Sequence, residues 1–258
     1  MLPPVIMALF AFVFGAVVGS FLNVCIYRMP LDQSVVSPGS RCVGCGTAIR
    51  WYDNIPVISW LLLRGRCRFC QAPFSFRYPL VELITAVLSL LLFMKYGLSP
   101  SYGVMFIFCA ALIVITFIDF DHQIIPDELS LPGIVLGFLS SFFLPEPGWI
   151  SSLLGAVAGW GSLALIFYGY LWLTGREGMG GGDAKLLAMM GAFLGLQAIP
   201  FIIFASSLVG TVAGLSIMAV QRKDRHLAIP FGPYLALGAL LYIFVGPQLI
   251  QWYLQLGK

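Results

Sequence analysis

The sequence has few charged residues. Its 14 Lys or Arg and 11 Asp or Glu residues make up 10% of 258 positions, whereas a water-soluble domain carries about 25% charged residues. Apolar residues make up 60% of the chain. This composition excludes a soluble globule, a disordered chain and a nucleic-acid binder, and it indicates a polytopic membrane protein. The formal net charge of +3 is also too small to indicate a polyanionic partner.

Long apolar runs account for most of the chain. A helix needs about 20 such residues to cross the hydrocarbon layer, and we predict an all-α membrane protein with about eight transmembrane helices. The first run has no basic segment before it and no signal-peptidase site after it, so we expect it to be retained. The stretch 185–220 could be divided differently. The runs are residues 5–27, 79–97, 102–118, 129–145, 150–173, 185–197, 199–220 and 229–255.

The basic residues predict the orientation of these helices. Seven arginines lie in segment 28–78, two basic residues lie near 174–185 and three lie near 221–228, whereas only Lys95 and Lys258 fall on the opposite side of the predicted membrane. Cytoplasmic loops carry the excess of Lys and Arg. We therefore expect the three loops to face the cytoplasm and both termini to face outward.

The first loop, residues 28–78, contains two pairs of cysteines. Cys42 and Cys45 are followed by Cys67 and Cys70, which gives a C-x2-C-x21-C-x2-C spacing typical of a tetrahedral zinc site. Nearby arginines would favour thiolates. Four sulfur ligands would leave no position for a water, so we predict a structural Zn²⁺ that staples a small cytoplasmic domain between residues 1–27 and 79–258.

Other uses of these cysteines are less consistent with the sequence. Two disulfides are disfavoured on a cytoplasmic face, where thiols stay reduced. A thioredoxin-like C-x-x-C site needs a flanking strand and helix, which the Gly- and Pro-rich flanks do not provide. Unrelated free thiols remain possible from spacing alone. The remaining Cys25 and Cys109 lie within apolar runs, and we expect both to be buried packing residues.

Three aspartates follow the third apolar run. Asp127 comes after Pro126 and before the next run, where an N-cap oxygen is useful, so capping is at least as good an interpretation as chemistry. Asp121 lies farther along the loop, where water would solvate it. Asp119 is closest to the hydrocarbon, where a carboxylate is costly and is a functional candidate by default.

A glycine-rich segment precedes the sixth run and ends in another aspartate. Four of the five residues 178–182 are glycine, the exception is Met179, and Asp183 follows. This density of glycine suggests backbone that another group approaches closely. A dinucleotide-type phosphate loop is disfavoured because Asp183 replaces the last glycine and no strand precedes it. A flexible hinge before a helix capped by Asp183 is the structural alternative.

The predicted topology brings Asp119 and Asp183 to the same membrane face, because two spans separate them. Two neighbouring carboxylates cannot easily both ionise, so one keeps a proton while the other can activate a water. This indicates aspartyl hydrolysis. The chain has only two histidines, His122 and His226, and it lacks H-E-x-x-H and G-x-S-x-G, which disfavours a metalloprotease or a serine hydrolase.

These motifs resemble those of the bacterial type IV prepilin peptidases, which are intramembrane aspartyl proteases. The resemblance covers nearly the whole chain and is carried by an ordered set of motifs. These are Gly19-Ser20-Phe21-Leu22-Asn23-Val24, the paired C-x2-C motifs, Tyr78-Pro79-Leu80-Val81-Glu82, Asp119 in I-D-x-D-x-x-x-x-P-D, and the G-x-G-D motif Gly180-Gly181-Gly182-Asp183.

The resemblance implies an activity and its site. Members cleave the basic leader from prepilins and pseudopilins at the cytoplasmic face of the bacterial inner membrane, and then N-methylate the new terminus, commonly Phe, with S-adenosylmethionine. The motif positions imply Asp119 and Asp183 as the catalytic pair and Gly180 and Gly182 as active-site loop residues. The zinc ligands would be Cys42, Cys45, Cys67 and Cys70.

Two questions stay open at the level of the sequence. The methyltransferase activity depends on the resemblance alone, because no dinucleotide-type glycine motif is present for the donor. Glu82 and Asn23 are candidates for substrate handling, and hydrogen bonding between helices is an equally good interpretation of both. The alternative function from another class is a non-enzymatic transporter or assembly scaffold with a zinc-stabilised docking loop.

Overall fold

The computed structural model describes residues 3–175, 180–221 and 230–256. Within these ranges the chain forms nine α-helices, joined by short connections except for the cysteine-containing loop after the first helix. The helices are α1 (Pro4–Arg28), α2 (Ile58–Leu62), α3 (Arg77–Tyr96), α4 (Pro100–His122), α5 (Asp127–Ser140), α6 (Trp149–Thr174), α7 (Gly181–Leu194), α8 (Ala198–Gln221) and α9 (Gly232–Leu256).

The prediction of a helical membrane protein is confirmed. Each of the eight predicted runs coincides with a helix, and the short α2 lies inside the first loop. Among the described residues, six helices are long and apolar enough to span a membrane: α1, α3, α4, α6, α8 and α9. Helices α5 and α7 have 14 residues each and are about 21 Å long, so eight crossings are not confirmed.

The contacts divide the chain into two compact units, and the boundary lies within α4, after Val114. In the N-terminal unit, α1 packs on α3 through small residues. The backbone of α3 comes so close to α1 that a Cβ on Gly15 would lie 2.8 Å from the Ala86 Cα, and one on Gly19 would lie 2.7 Å from the Glu82 Cα. Glycines spaced by four residues allow helices to approach this closely in membranes.

A buried polar contact adds to this packing. The Ser89 hydroxyl donates to the Ala11 carbonyl oxygen at 2.6 Å, and the same hydroxyl lies 2.8 Å from the Tyr102 hydroxyl of α4. A hydroxyl in an apolar interior needs such partners, because leaving it without them costs free energy. Helices α1, α3 and α4 are therefore joined by hydrogen bonds as well as by apolar contact.

In the C-terminal unit, the short helix α7 is central. It packs against α5, α6, α8 and α9, and ten of its 14 residues are buried. A Cβ on Gly191 would lie 2.1 Å from the Gly155 carbonyl oxygen of α6, and the Ser152 hydroxyl donates to the Ala192 carbonyl oxygen at 2.6 Å. Helix α7 is thus enclosed by other helices of this unit.

Candidate functional site

Asp119 lies in the last turn of α4, and its side chain is buried, with 5% of the residue exposed. The backbone N–H of Gly232, the first residue of α9, donates to Asp119 Oδ2 at 2.9 Å. The first N–H groups of a helix have no partner within the helix and carry a partial positive charge. The start of α9 therefore supplies a fixed donor to this carboxylate.

Asp183 is the third residue of α7 and is also buried, at 8% exposure. It does not cap the helix: the N-cap is Gly180, and no side-chain hydrogen bond caps this end. The capping role that the structural alternative gave to Asp183 is therefore wrong. A capping role therefore does not explain why this carboxylate is buried, and we attribute its burial to its pairing with Asp119.

The two aspartates interact electrostatically. Burial raises the pKa of Asp183 to about 7, and the charge of Asp119 contributes to the rise. A second charge next to an ionised carboxylate is unfavourable, so one of two neighbouring carboxyl groups keeps its proton. Near neutral pH the pair can therefore contain one acid and one carboxylate, as the sequence predicts.

The glycine-rich segment provides the predicted close approach at one of its three described glycines. A Cβ on Gly182 would lie 3.0 Å from the Ile125 Cβ, so the loop after α4 contacts the start of α7 there. A Cβ on Gly180 or on Gly181 would meet no atom within 4 Å. Gly178 and Met179 lie outside the described residues. The packing requirement for glycine is thus shown for Gly182 alone.

The prediction that Asp127 caps a helix is wrong. Pro126 is the N-cap of α5, Asp127 is its first residue, and no side chain caps this end. Both Asp127 carboxylate oxygens accept hydrogen bonds from Lys185 Nζ of α7, each at 2.8 Å. An ion pair between α5 and α7 replaces the local cap because packing brings the two helix starts together.

Asp121 and His122 are exposed, and His226 lies outside the described residues.

The sequence did not reveal Gly232 as part of the site. It lies 113 residues from Asp119, and its only local signal is the Phe231-Gly232-Pro233 sequence that begins the last helix. Pro near the first turn of a helix marks a start, but it does not say which group the free N–H groups of that start will bind. That choice depends on how the last helix packs.

Replacing Gly232 with Ala is expected to reduce the activity of the aspartate pair. The added Cβ would lie 2.6 Å from Asp119 Oδ2, which is closer than van der Waals contact, so the carboxylate has to move. Displacing a reacting group by about 1 Å can lower a rate by roughly 100-fold. Turnover of a leader-bearing substrate in membranes measures this effect.

The matched control for this variant is Gly161→Ala in α6, where the new Cβ meets nothing within 4 Å. This control should keep wild-type turnover, because Ala is the better helix former and the site is not involved. Equal activity of Gly232→Ala and the wild type would contradict the role given to the Gly232 N–H.

The four cysteines of the first loop form one cluster. Their sulfur atoms all lie within 4.8 Å of one another, and the Sγ atoms of Cys42 and Cys70 are 3.7 Å apart. A tetrahedral site with Zn–S bonds of about 2.3 Å places its sulfurs about 3.8 Å apart. All six cysteines are free thiols, so the disulfide alternative is not supported.

The two halves of the cluster have the same backbone geometry. In the first half, the Cys42 N–H donates to the Thr47 carbonyl oxygen at 2.9 Å. In the second half, the Cys67 N–H donates to the Ala72 carbonyl oxygen, also at 2.9 Å. The residue after each second cysteine has a positive φ, +69° at Gly46 and +59° at Gln71. Each C-x2-C pair therefore turns in the same way, and the two turns direct their thiols at a common point.

Hydrogen bonds prepare some of these thiols to ionise. Hydrogen bonds between the Cys45 sulfur and the side chain and backbone of Thr47 lower the pKa of Cys45 to about 6. The backbone N–H groups of Cys70 and Phe69 lower the pKa of Cys67. The pKa of Cys70 is instead about 11, because desolvation and the neighbouring sulfurs outweigh the hydrogen bond from the Ala72 backbone. A bound cation would favour the thiolate form at all four positions.

Contacts around the cluster fold the rest of the loop. Arg68 donates two hydrogen bonds from Nε and Nη2 to the carboxylate of Asp53, at 2.9 and 2.5 Å, and this pairing lowers the pKa of Asp53. The Trp60 indole donates to the Phe74 carbonyl oxygen at 3.3 Å. A segment of about 50 residues is too small to build a strong core unaided, so these polar contacts and the cysteine cluster are its main cross-links.

The fold and the two sites define a class: a helical, multi-pass membrane protein with a buried pair of aspartates and a separate four-cysteine cluster. Two family models match the chain, the bacterial peptidase A24 N-terminal domain over residues 13–96 and the type IV leader peptidase family over residues 106–215. The chain belongs to the type IV leader peptidase family, which confirms the resemblance noted in the sequence.

Curated relatives support this assignment over nearly their whole length. A protein of Aeromonas hydrophila is 40% identical over 94% of this chain and 92% of its own. Relatives from Neisseria gonorrhoeae and Pseudomonas aeruginosa are 42% and 38% identical, over 95% and 98% of this chain and 93% and 95% of their own. All three are named prepilin leader peptidase/N-methyltransferase. No solved structure matches the chain.

Proposed function

We propose that this protein removes the leader peptide from prepilins and type II secretion pseudopilins and then N-methylates the new N-terminal residue, commonly Phe. The observation that carries the peptidase half is the pair of buried, interacting aspartates, Asp119 and Asp183, at the ends of α4 and α7. The names of the relatives indicate the substrate class and the second reaction.

The chemistry follows from the shared proton of the pair. The ionised carboxylate removes a proton from a water, and the water oxygen attacks the peptide carbonyl carbon at the leader junction. The protonated carboxyl group gives its proton to the carbonyl oxygen, and the roles reverse when the amine leaves. The titration belongs to the pair, so neither role is assigned to one aspartate.

The Gly232 N–H has a defined part in this scheme. Its hydrogen bond to Asp119 Oδ2 stabilises the charged form of that carboxyl group and fixes its orientation. A backbone donor of this kind does not move when the reaction proceeds, so its contribution needs no reorganisation. Gly180 is the N-cap of α7 and Gly182 lies in its first turn, just before Asp183. The close packing of Gly182 against Ile125 holds this turn against the loop that follows α4.

The metal and the methyl donor have separate roles. We propose that Cys42, Cys45, Cys67 and Cys70 hold Zn²⁺, which supplies folding energy to residues 28–78. Its four thiolate ligands leave no open position for catalysis. The methyl group comes from S-adenosylmethionine. The membrane itself is the other partner, and the protein belongs to the bacterial inner membrane.

The proposed orientation places the zinc loop and the aspartates at the cytoplasmic face. It is supported by the seven arginines of segment 28–78 and by Lys185 at the start of α7. Arg176, Arg222, Lys223 and Arg225, which also contribute to the predicted charge bias, lie outside the described residues.

Mass spectrometry of a co-expressed prepilin tests the proposal. We expect the mature pilin to lack its leader and to carry one added methyl group. Because a methyl group replaces one hydrogen on nitrogen, the mass increases by the mass of one CH₂, about 14 Da. The control variant Glu146→Gln changes an exposed acid and should process the prepilin normally. If correctly inserted wild-type protein left the prepilin unprocessed and carried a solute or proton flux, the transporter alternative would be favoured.

A further inference from the structure

The short helix α2 exposes an apolar face. Ile58, Leu61 and Leu62 are 54%, 61% and 78% exposed. Their spacing of three and four residues places them on one side of a helix. The other side of α2 faces the protein, because Ser59 is buried and Trp60 is half-buried. Contiguous apolar side chains on a surface mark a site of contact with a partner or with the membrane.

Two contacts hold α2 beside the first turns of α3. The Val57 N–H, directly before α2, donates to Glu82 Oε2 at 2.7 Å, and Glu82 is the sixth residue of α3. The centroids of the Trp60 and Phe76 rings are 5.6 Å apart, and Phe76 is the N-cap of α3. Helical side chains tilt toward the N-terminus of their helix. Helix α2 therefore begins within about 8 Å of the α3 N-terminus, measured along the α3 axis.

This level of α3 is the edge of the hydrocarbon layer. Helix α3 has 20 residues and is about 30 Å long, which only just equals the thickness of the hydrocarbon core. A helix of this length that crosses the membrane has to place its first turns at the boundary between acyl chains and headgroups. The exposed face of α2 lies at the same depth, so acyl chains are within its reach.

The charge of the surrounding loop suits this position. Segment 28–78 contains seven arginines but only two acids, Asp32 and Asp53. Arg64 and Arg66 follow α2 directly, and both are exposed. Basic residues beside a membrane attract anionic headgroups. An apolar face with adjacent basic residues is typical of helices that lie in the plane of the interface.

We propose that α2 is an interfacial helix that lies on the anionic phospholipid leaflet beside α3. Ile58, Leu61 and Leu62 insert among the acyl chains, and Arg64 and Arg66 bind the headgroup phosphates. The cysteine-containing loop is then attached to the membrane at α2 as well as at its two ends, which continue into α1 and α3. This assignment requires that α3 crosses the membrane, and it does not depend on either proposed reaction.

Photo-crosslinking of the full-length protein in cells identifies what covers this face. With p-benzoylphenylalanine in place of Leu62, illumination of cells grown with radioactive phosphate should attach labelled phospholipid to the single chain. The same substitution at Leu83, which is exposed on α3, is the positive control. A product of twice the mass of the chain would show a second copy on this face, and a product of another mass would show a different protein. Either product, or no product at all, would overturn the proposal.

Trypsin cleavage after Arg64 in lipid nanodiscs measures how firmly α2 is held on the membrane. Replacing both Leu61 and Leu62 with Ser should raise the cleavage rate at least about tenfold, because burial of two leucine side chains contributes more than that factor to an equilibrium. Cleavage follows the population in which the helix has left the membrane. The matched control Val36→Ser changes another exposed apolar residue of the same loop and should leave this rate unchanged.

The lipid composition tests the arginines separately. Nanodiscs of phosphatidylcholine should allow faster cleavage of the wild type after Arg64 than nanodiscs of phosphatidylglycerol, by about fivefold for each arginine that leaves an anionic surface. Equal rates in the two lipids would overturn the role of Arg64 and Arg66. A wild-type rate in the double serine variant would overturn the proposal. Equal acceleration after Arg41 in that variant would also overturn it, because the two leucines would then support the loop itself.

Discussion

Replacing either Asp119 or Asp183 with Asn is expected to lower leader removal at least about 100-fold, since a positioned acid or base contributes roughly 10² to 10⁴ to a rate. Asn has nearly the same shape as Asp, but it neither accepts nor gives up a proton at neutral pH. Because the pair needs one acid and one carboxylate, loss of either member removes the chemistry. The measurement is single-turnover cleavage of a prepilin in reconstituted membranes.

This prediction has a defined control. Asp127→Asn changes an acid that lies near the site in the fold but forms an exposed ion pair with Lys185. An exposed pair contributes about 0–1 kcal/mol to stability, so this variant should keep cleavage within about twofold of the wild type. If Asp119→Asn or Asp183→Asn, correctly inserted, cleaved at a near wild-type rate, the aspartyl mechanism would be lost.

Replacing Cys42 with Ser is expected to remove the metal and unfold residues 28–78. Cys42 is 3% exposed, and its backbone forms the first turn of the cluster, so its sulfur cannot be replaced by a solvent ligand without loss of the turn. A structural zinc site contributes apparent binding energies of about 10–16 kcal/mol. Losing one of four ligands should therefore reduce bound zinc from one ion per chain to a trace, as measured by elemental analysis.

A buried cysteine outside the cluster provides the control. Cys25 is 8% exposed and lies in α1, so Cys25→Ala should keep the metal. Limited proteolysis should cut Cys42→Ser between residues 28 and 78 and leave the transmembrane helices intact, because those helices do not depend on the metal. A full complement of zinc in Cys42→Ser, or no zinc in wild-type protein purified without chelator, would contradict the proposed staple.

The sequence determined the class of protein and the residues to examine. Apolar runs predicted the long helices, because the hydrocarbon layer imposes a length on any helix that crosses it. The C-x2-C spacing predicted the cysteine cluster, since each pair is a local turn with its own geometry. The motif around Asp183 and the aspartate at the end of α4 identified the family. These are all local signals, and they can be recognised in the sequence without the tertiary structure.

Only the tertiary structure decided how these parts meet. The Gly232 N–H donates to Asp119, which lies 113 residues away in the sequence. Asp127 forms an ion pair with Lys185 and does not cap α5 as predicted. Gly191 packs against Gly155. Membrane helices are apolar on all sides, so periodicity does not show which face of a helix packs against which neighbour. Close packing between glycines and the enclosure of α7 make that choice, and they bring the two aspartates together.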